Sequence, residues 1–217
     1  LYNQAYAVAT SYIQNWVTQN KPKTNSWGVV LDIDETTLDN SWYFRECGEL
    51  ASNESDFSHY VANPQKSTAL PGVVAFTELV HKLGGYVSLV SNRDGSFKDN
   101  SGEVLDTTIA NLKQQHVYFD QVVLANLRDA KKPSDKNPRF QAINNGVYDT
   151  TQMVWSNQLP KHKVIAYFGD NIQDFPEFKQ STINSLDEND SKYKIFGNGY
   201  FIMPNPMYGS WEANQYN

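Results

Sequence analysis

Three short segments of this sequence carry residue types able to handle a charged oxygen ligand. In Val29-Val30-Leu31-Asp32-Ile33-Asp34-Glu35-Thr36 an apolar run ends abruptly in acids, and alternation along a strand sends Asp32 and Asp34 to the same side. Two like charges at one strand tip need a partner, which a divalent cation bridging to a phosphate supplies. An Asp so placed can attack phosphorus while its neighbour two residues on handles the proton. Alone, the pair also reads as solvated acids or as a helix cap by Asp34 or Thr36. Leu89-Val90-Ser91-Asn92-Arg93 ends in hydroxyl, amide and backbone N–H groups that can donate to phosphate oxygens, although a Ser-Asn turn by itself says little. Phe168-Gly169-Asp170-Asn171-Ile172-Gln173-Asp174-Phe175 offers a Gly that permits close approach and two acids four apart, which also suit a turn and an N-cap. Acid pair, hydroxyl and acid pair at one edge of one sheet leave little room for coincidence. Hard carboxylate and carbonyl oxygens favour Mg²⁺ over zinc.

Those tips need a scaffold that brings them together. Gly28-Val29-Val30-Leu31, Tyr86-Val87-Ser88-Leu89-Val90, Val122-Val123-Leu124 and Val164-Ile165-Ala166-Tyr167-Phe168 are short apolar runs of the kind found in buried parallel strands. Helix-patterned stretches separate them, such as Val73, Phe76, Leu79, Val80 and Leu83 before a Gly84-Gly85 stop. Alternating strands and helices predict a parallel α/β sheet. Tyr2, Ala5, Tyr6, Ala9, Tyr12, Ile13, Trp16 and Val17 fall on one stripe of a helix that ends near Lys21-Pro22, and aromatics at this spacing are assigned to packing. Residues 41–69 break the alternation with Trp42, Tyr43, Phe44, Phe57 and Tyr60 and no clear period, which reads as a cap over the sheet's carboxyl edge, where ligands bind in open α/β sheets.

Composition narrows the partners. At 217 residues, 40% hydrophobic and 13% aromatic, the chain can bury a full core, and its length suits one domain with a modest insertion. Eighteen Lys and Arg against 24 Asp and Glu give a net charge of −6, the wrong sign for binding nucleic-acid polymers or anionic membranes, so a phosphorylated ligand must be attracted locally. Cys47 is the single cysteine, and His59, His81, His116 and His162 never take helical metal-ligand spacing. Both facts suit an oxygen-ligand metal site. No apolar run approaches the ~18 residues of a membrane span.

At these residues the sequence resembles the haloacid dehalogenase superfamily, whose phosphatases carry Asp-x-Asp-x-Thr, then Ser or Thr, then Lys, then an acidic pair. The resemblance is closer still to the class C acid phosphatases, the bacterial lipoprotein acid phosphatases. It rests on VVLDIDETTLDNSWY, SNR, Leu70-Pro71-Gly72, YFGDNIQDF and PNPMYGSWE at 204–212, with Thr37 standing where the group has an apolar residue. The family's Lys should open a helix leading to the last core strand. Lys136 fits best, Lys131 and Lys132 stay open, and Lys161 and Lys163 belong at the opposite sheet edge.

The resemblance implies a Rossmann-like core over 26–40 and 70–217 and a small, mainly helical cap from 1–25 and 41–69. It implies Asp32 as nucleophile, forming an aspartyl phosphate, and Asp34 as general acid and then base. Mg²⁺ would be held by Asp32, the Asp34 main-chain carbonyl and Asp170, with Asp174 close behind, supporting the metal's waters or Lys136. On the same resemblance Ser91 and Lys136 would clamp the phosphate, Asn92 would bind and orient the phosphate or orient the nucleophile, and Phe57 and Tyr208 would sandwich a nucleobase. The substrates implied are small phosphomonoesters, nucleoside 5′-monophosphates among them, hydrolysed at acid pH. An exported location in the periplasm, at the outer membrane or outside the cell is implied, with membrane contact only through a removed lipidated segment; a homodimer is left open. A dehalogenase or a P-type ATPase headpiece would lack Asp34, and a storage or binding protein on this fold would have lost Asp32. A phosphotransferase using an alcohol acceptor would keep every residue named.

Overall fold

The computed structural model describes residues 1–47, 54–63, 66–183 and 185–213. In chain order the elements are α1 (Tyr2–Asn20), β1 (Trp27–Leu31), β2 (Leu38–Asp39), α2 (Ser41–Cys47), α3 (Glu54–Ala62), β3 (Thr68–Ala69), α4 (Val73–Lys82) and β4 (Tyr86–Asp94). There follow α5 (Val104–Gln114), β5 (Gln121–Ala125), α6 (Asn137–Asn145), β6 (Met153–Trp155), β7 (Lys163–Gly169), α7 (Gln180–Ile183) and β8 (Tyr200–Ile202).

Six strands form one sheet in the order β6-β5-β4-β1-β7-β8, parallel except for the antiparallel β5–β6 edge pair. Every residue of β1 is buried, because a central parallel strand is covered on both faces. Its alternation divides the core. Val29 and Leu31 join Phe76 of α4 and Leu112 of α5 on one face, while Val30 joins Phe140 and Ile143 of α6 on the other. The α/β fold expected from the alternating runs is therefore present, with helices on both faces of the sheet.

The sequence reading groups residues 1–25 with the cap; the structure places α1 on the sheet instead. Tyr6, Ala9 and Ile13 are buried in the same cluster as Val29 and Leu31, and Tyr6 lies 5.3 Å from the Phe76 ring. An aromatic stripe this wide needs a continuous apolar floor, which the sheet face beside α4 provides. The helix stops at Lys21, which turns left-handed (φ 43°) and donates its backbone N–H to Val17 O at 2.8 Å.

A short antiparallel ribbon marks the base of the cap. The chain leaves the core along β2 and returns along β3, with Leu38 opposite Ala69 and Asp39 opposite Thr68. Between them α2 and α3 pack through aromatics, Tyr43 lying 4.5 Å from Tyr60 and 5.3 Å from Phe57. Positions 48–53 and 64–65 of the expected cap lie outside the described residues. No helix among the described residues is long and apolar enough to cross a membrane.

Candidate active site

The tip of β1 is tied down before it carries any chemistry. Asp32 donates its backbone N–H to Phe168 O of β7 at 2.9 Å, and Thr37 Oγ1 donates to Asp32 O at 2.6 Å. Thr37, which departs from the resemblance, thus has its buried hydroxyl satisfied. The chain then turns back sharply, Thr37 and Leu38 both donating to Ile33 O at 2.9 and 2.8 Å, with Glu35 left-handed at φ 57°.

Asp32 is 6% exposed, and Lys136, at the N-terminal cap of α6, donates from Nζ to its Oδ1. The same ammonium donates to Asp174 Oδ1 at 2.6 Å. Burial pushes the Asp32 carboxyl well above the usual carboxylate range; Lys136 pulls the other way, and Asp174, Asp170 and Asp34 add to the rise. Burial alone would lower the Lys136 ammonium, but Asp174 and Asp32 outweigh it and hold it charged. Lys131, Lys132, Lys161 and Lys163 are all exposed, so Lys136 is the lysine that the fold delivers to Asp32.

Asp34 faces a different set of partners. It accepts from Arg93 Nε and Nη2 (3.1 and 2.7 Å), from Ser91 Oγ (2.9 Å) and from Asn40 Nδ2 (2.8 Å). Although burial would raise it, the Arg93 guanidinium holds the Asp34 carboxyl below its usual value, helped by the Ser91 and Asn40 hydrogen bonds. Arg93 reaches Asp34 because β4 bulges. Ser91 pairs with Leu124 and Asp94 with Ala125, which leaves Asn92 and Arg93 out of register. Arg93 Nη1 also donates to Thr108 Oγ1 at 3.0 Å, and the guanidinium lies 5.9 Å from the centre of the Phe57 ring. Asn92 is exposed at the rim.

At the tip of β7, Asp170 accepts from Thr36 Oγ1 (3.3 Å) and Asn205 Nδ2 (2.9 Å), and burial together with the Asp174 charge pushes it up to about 7. Asp174 closes a single 3₁₀ turn, its Oδ2 accepting from Asn171 N at 2.9 Å in a capping box. Gly169 makes this possible, because a Cβ there would sit 2.1 Å from Asp174 Cβ. One oxygen each from Asp32, Asp170 and Asp174 lies within 4.8 Å of the others, a spacing that fits a hard divalent cation. The Asp34 carboxylate stands outside that group, being taken up by Arg93, Ser91 and Asn40; the resemblance assigns its main-chain carbonyl.

Above these groups opens a cavity of about 510 Å³, with Phe57 and Tyr208 on its walls. Phe44 belongs with them, its ring 4.5 Å from Tyr208 and 6.2 Å from Phe57. Tyr208 donates its hydroxyl to Glu35, a 1% exposed acid that burial and the Asp34 charge push up to about 9 against the Asn40 hydrogen bonds. Sequence reasoning gave no role to Arg93, Asn40, Glu35 or Phe44. The first three stood inside the quoted motifs, and only the third dimension turns them toward Asp34 and Tyr208.

A parallel sheet whose central strand ends in Asp-x-Asp, beneath a helical cap, is the architecture of haloacid dehalogenase-type enzymes. The family profile described as HAD superfamily, subfamily IIIB (acid phosphatase) matches residues 1–211, and the chain belongs to that family. It is accordingly a phosphoric monoester hydrolase by family. Its fold is similar to the class C acid phosphatase from Bacillus anthracis, with a TM-score of 0.72 and 24% identity over 97% of this chain and 79% of that one. A structure of the class C acid phosphatase from Bacillus anthracis with tungstate bound gives a TM-score of 0.69 and 24% identity over the same shares, 97% and 79%.

Proposed function

We propose that this protein is a Mg²⁺-dependent acid phosphatase that hydrolyses phosphomonoesters, nucleoside 5′-monophosphates included, through an aspartyl phosphate on Asp32. The observation that carries the reading is the contrast between two carboxylates on one strand tip: Asp32 sits with Lys136 and two further aspartates, whereas Asp34 is held apart by Arg93. Neighbouring carboxylates in such different surroundings are fitted for different work.

Lys136 and Ser91 would bind the phosphate oxygens. An Asp32 carboxylate oxygen attacks phosphorus, the bond from phosphorus to the ester oxygen breaks, and Asp34 gives its proton to the departing alkoxide. Asp34 then takes a proton from water as that water displaces Asp32, releasing phosphate and restoring both carboxyls. Because Arg93 favours the ionised form of Asp34, a proton has to be loaded onto it before each turnover, which falling pH favours. Asp32 and Asp170, with Asp174 behind them, would hold Mg²⁺, which when bound offsets the repulsion between carboxylate and phosphate. Phe44, Phe57 and Tyr208 would give a base a flat apolar bed, worth about 1–3 kcal/mol per stacked ring with little preference among bases.

A phosphate-release screen over nucleotides, sugar phosphates and aryl phosphates at several pH values, after chelation and after adding back Mg²⁺, tests the reading. Turnover should vanish on chelation, return with Mg²⁺ and disappear in Asp32→Asn, and full activity in either depleted state would overturn it. Leu at Phe57 or Tyr208 should raise KM for AMP and leave glycerol phosphate nearly unchanged. Equal effects on the two substrates would make those rings packing residues.

A further inference from the structure

Arg139 is 1% exposed on the first turns of α6, three residues after Lys136, and its charge is met by neutral oxygens. Nη1 donates to Ser91 O at 2.7 Å, and Nη2 donates to Asn92 Oδ1 at 2.6 Å, to Pro133 O at 2.9 Å and to Asp135 O at 3.3 Å. The first two acceptors belong to the tip of β4 and the last two to the loop that leads into Lys136. A buried guanidinium is costly to desolvate, so a fold that needed only packing here would be served by an apolar side chain. What the planar fork adds is geometry: donors on one rigid plate reach two separate segments at once.

We propose that Arg139 is a positioning residue that locks the segments 91–92 and 133–136 into one register, so that Ser91 and Lys136 meet the same phosphate. The proposal rests on the phosphate-binding reading of those two residues. It assigns Arg139 no contact with substrate, since its donors are directed at main-chain carbonyls and at the Asn92 amide.

The test uses Arg139→Lys, which keeps the charge and loses the fork, and Arg139→Met, which loses both. Inhibition constants for inorganic phosphate and tungstate, and KM for p-nitrophenyl phosphate, are measured per folded molecule. Both variants should weaken all three by about tenfold or more, the scale of one lost charge-assisted hydrogen bond. Ile143→Val on the same helix, whose side chain is fully buried in the core on that face, is the control: it should lower the unfolding temperature and leave the three constants alone. Wild-type constants in folded Arg139→Lys and Arg139→Met would make the residue a packing element and overturn the proposal, as would failure of both variants to fold. A wild-type protein that binds neither phosphate nor tungstate would remove the phosphatase reading along with it.

Discussion

Asp32 and Asp34 lie two residues apart yet answer to opposite surroundings, one raised by burial and the other lowered by a guanidinium. If Asp34 moves the proton, its value depends on the leaving group. Asp34→Asn should lose about 10²–10⁴ in kcat on an alkyl phosphate and far less on p-nitrophenyl phosphate, whose leaving group needs little protonation. Arg93→Gln should show the same bias in weaker form, because it frees the carboxylate that it now grips with Nε and Nη2. Parallel rate measurements on both esters decide the matter, and uniform losses would show that neither residue serves proton transfer. The two aspartates were legible because a buried run ending in Asp-Ile-Asp recurs beside two further polar strand ends, and the three together outweigh the solvated-acid and helix-cap readings of the pair alone. Arg93 was not, since Ser-Asn-Arg reads as a turn and nothing in those letters announces a bulge.

Elements make such residues precise through a few close approaches. The end of β7 and the 3₁₀ turn after it can touch because Gly169 has no side chain, and the same contact sets Asp174 beside Asp170. Gly169→Ala should destabilise the fold by about 1–3 kcal/mol through overpacking. On the proposed Mg²⁺ site, the ion should raise the unfolding temperature of the wild type and raise that of Gly169→Ala less, read by thermal melts with and without the ion. An Ala variant with wild-type melting and wild-type Mg²⁺ response would show that the turn yields freely. The strand runs and helix stripes were readable from periodicity at this scale. The placement of α1 was not, because a stripe tells how wide a face is buried and never against what; only the floor of Val29, Leu31 and Phe76 decides that.

Across the whole molecule, the acid pH proposed for turnover also bears on stability, and His162 is one contributor to that balance. The imidazole is 4% exposed beside Tyr86, and burial lowers its pKa despite the hydrogen bond with Pro160 O. The folded state therefore binds this proton less readily than the unfolded chain. Its contribution to stability is intact above the ordinary His value of about 6.5 and is lost as pH falls through the lowered one. His162→Phe should flatten the decline in unfolding temperature between about pH 7 and pH 5; an unchanged slope would assign that decline to other groups. The ribbon of β2 and β3 has a consequence of another kind. Since the chain departs and returns as paired neighbours at Leu38 and Ala69, the span between them is fixed whatever hangs from it. Doubling the length of such a loop costs only about 0.6 kcal/mol in closure entropy. The cap from α2 onward therefore hangs across a gap whose width does not depend on its own length, while Asn40, at its root beside β2, stays within reach of the Asp34 carboxylate.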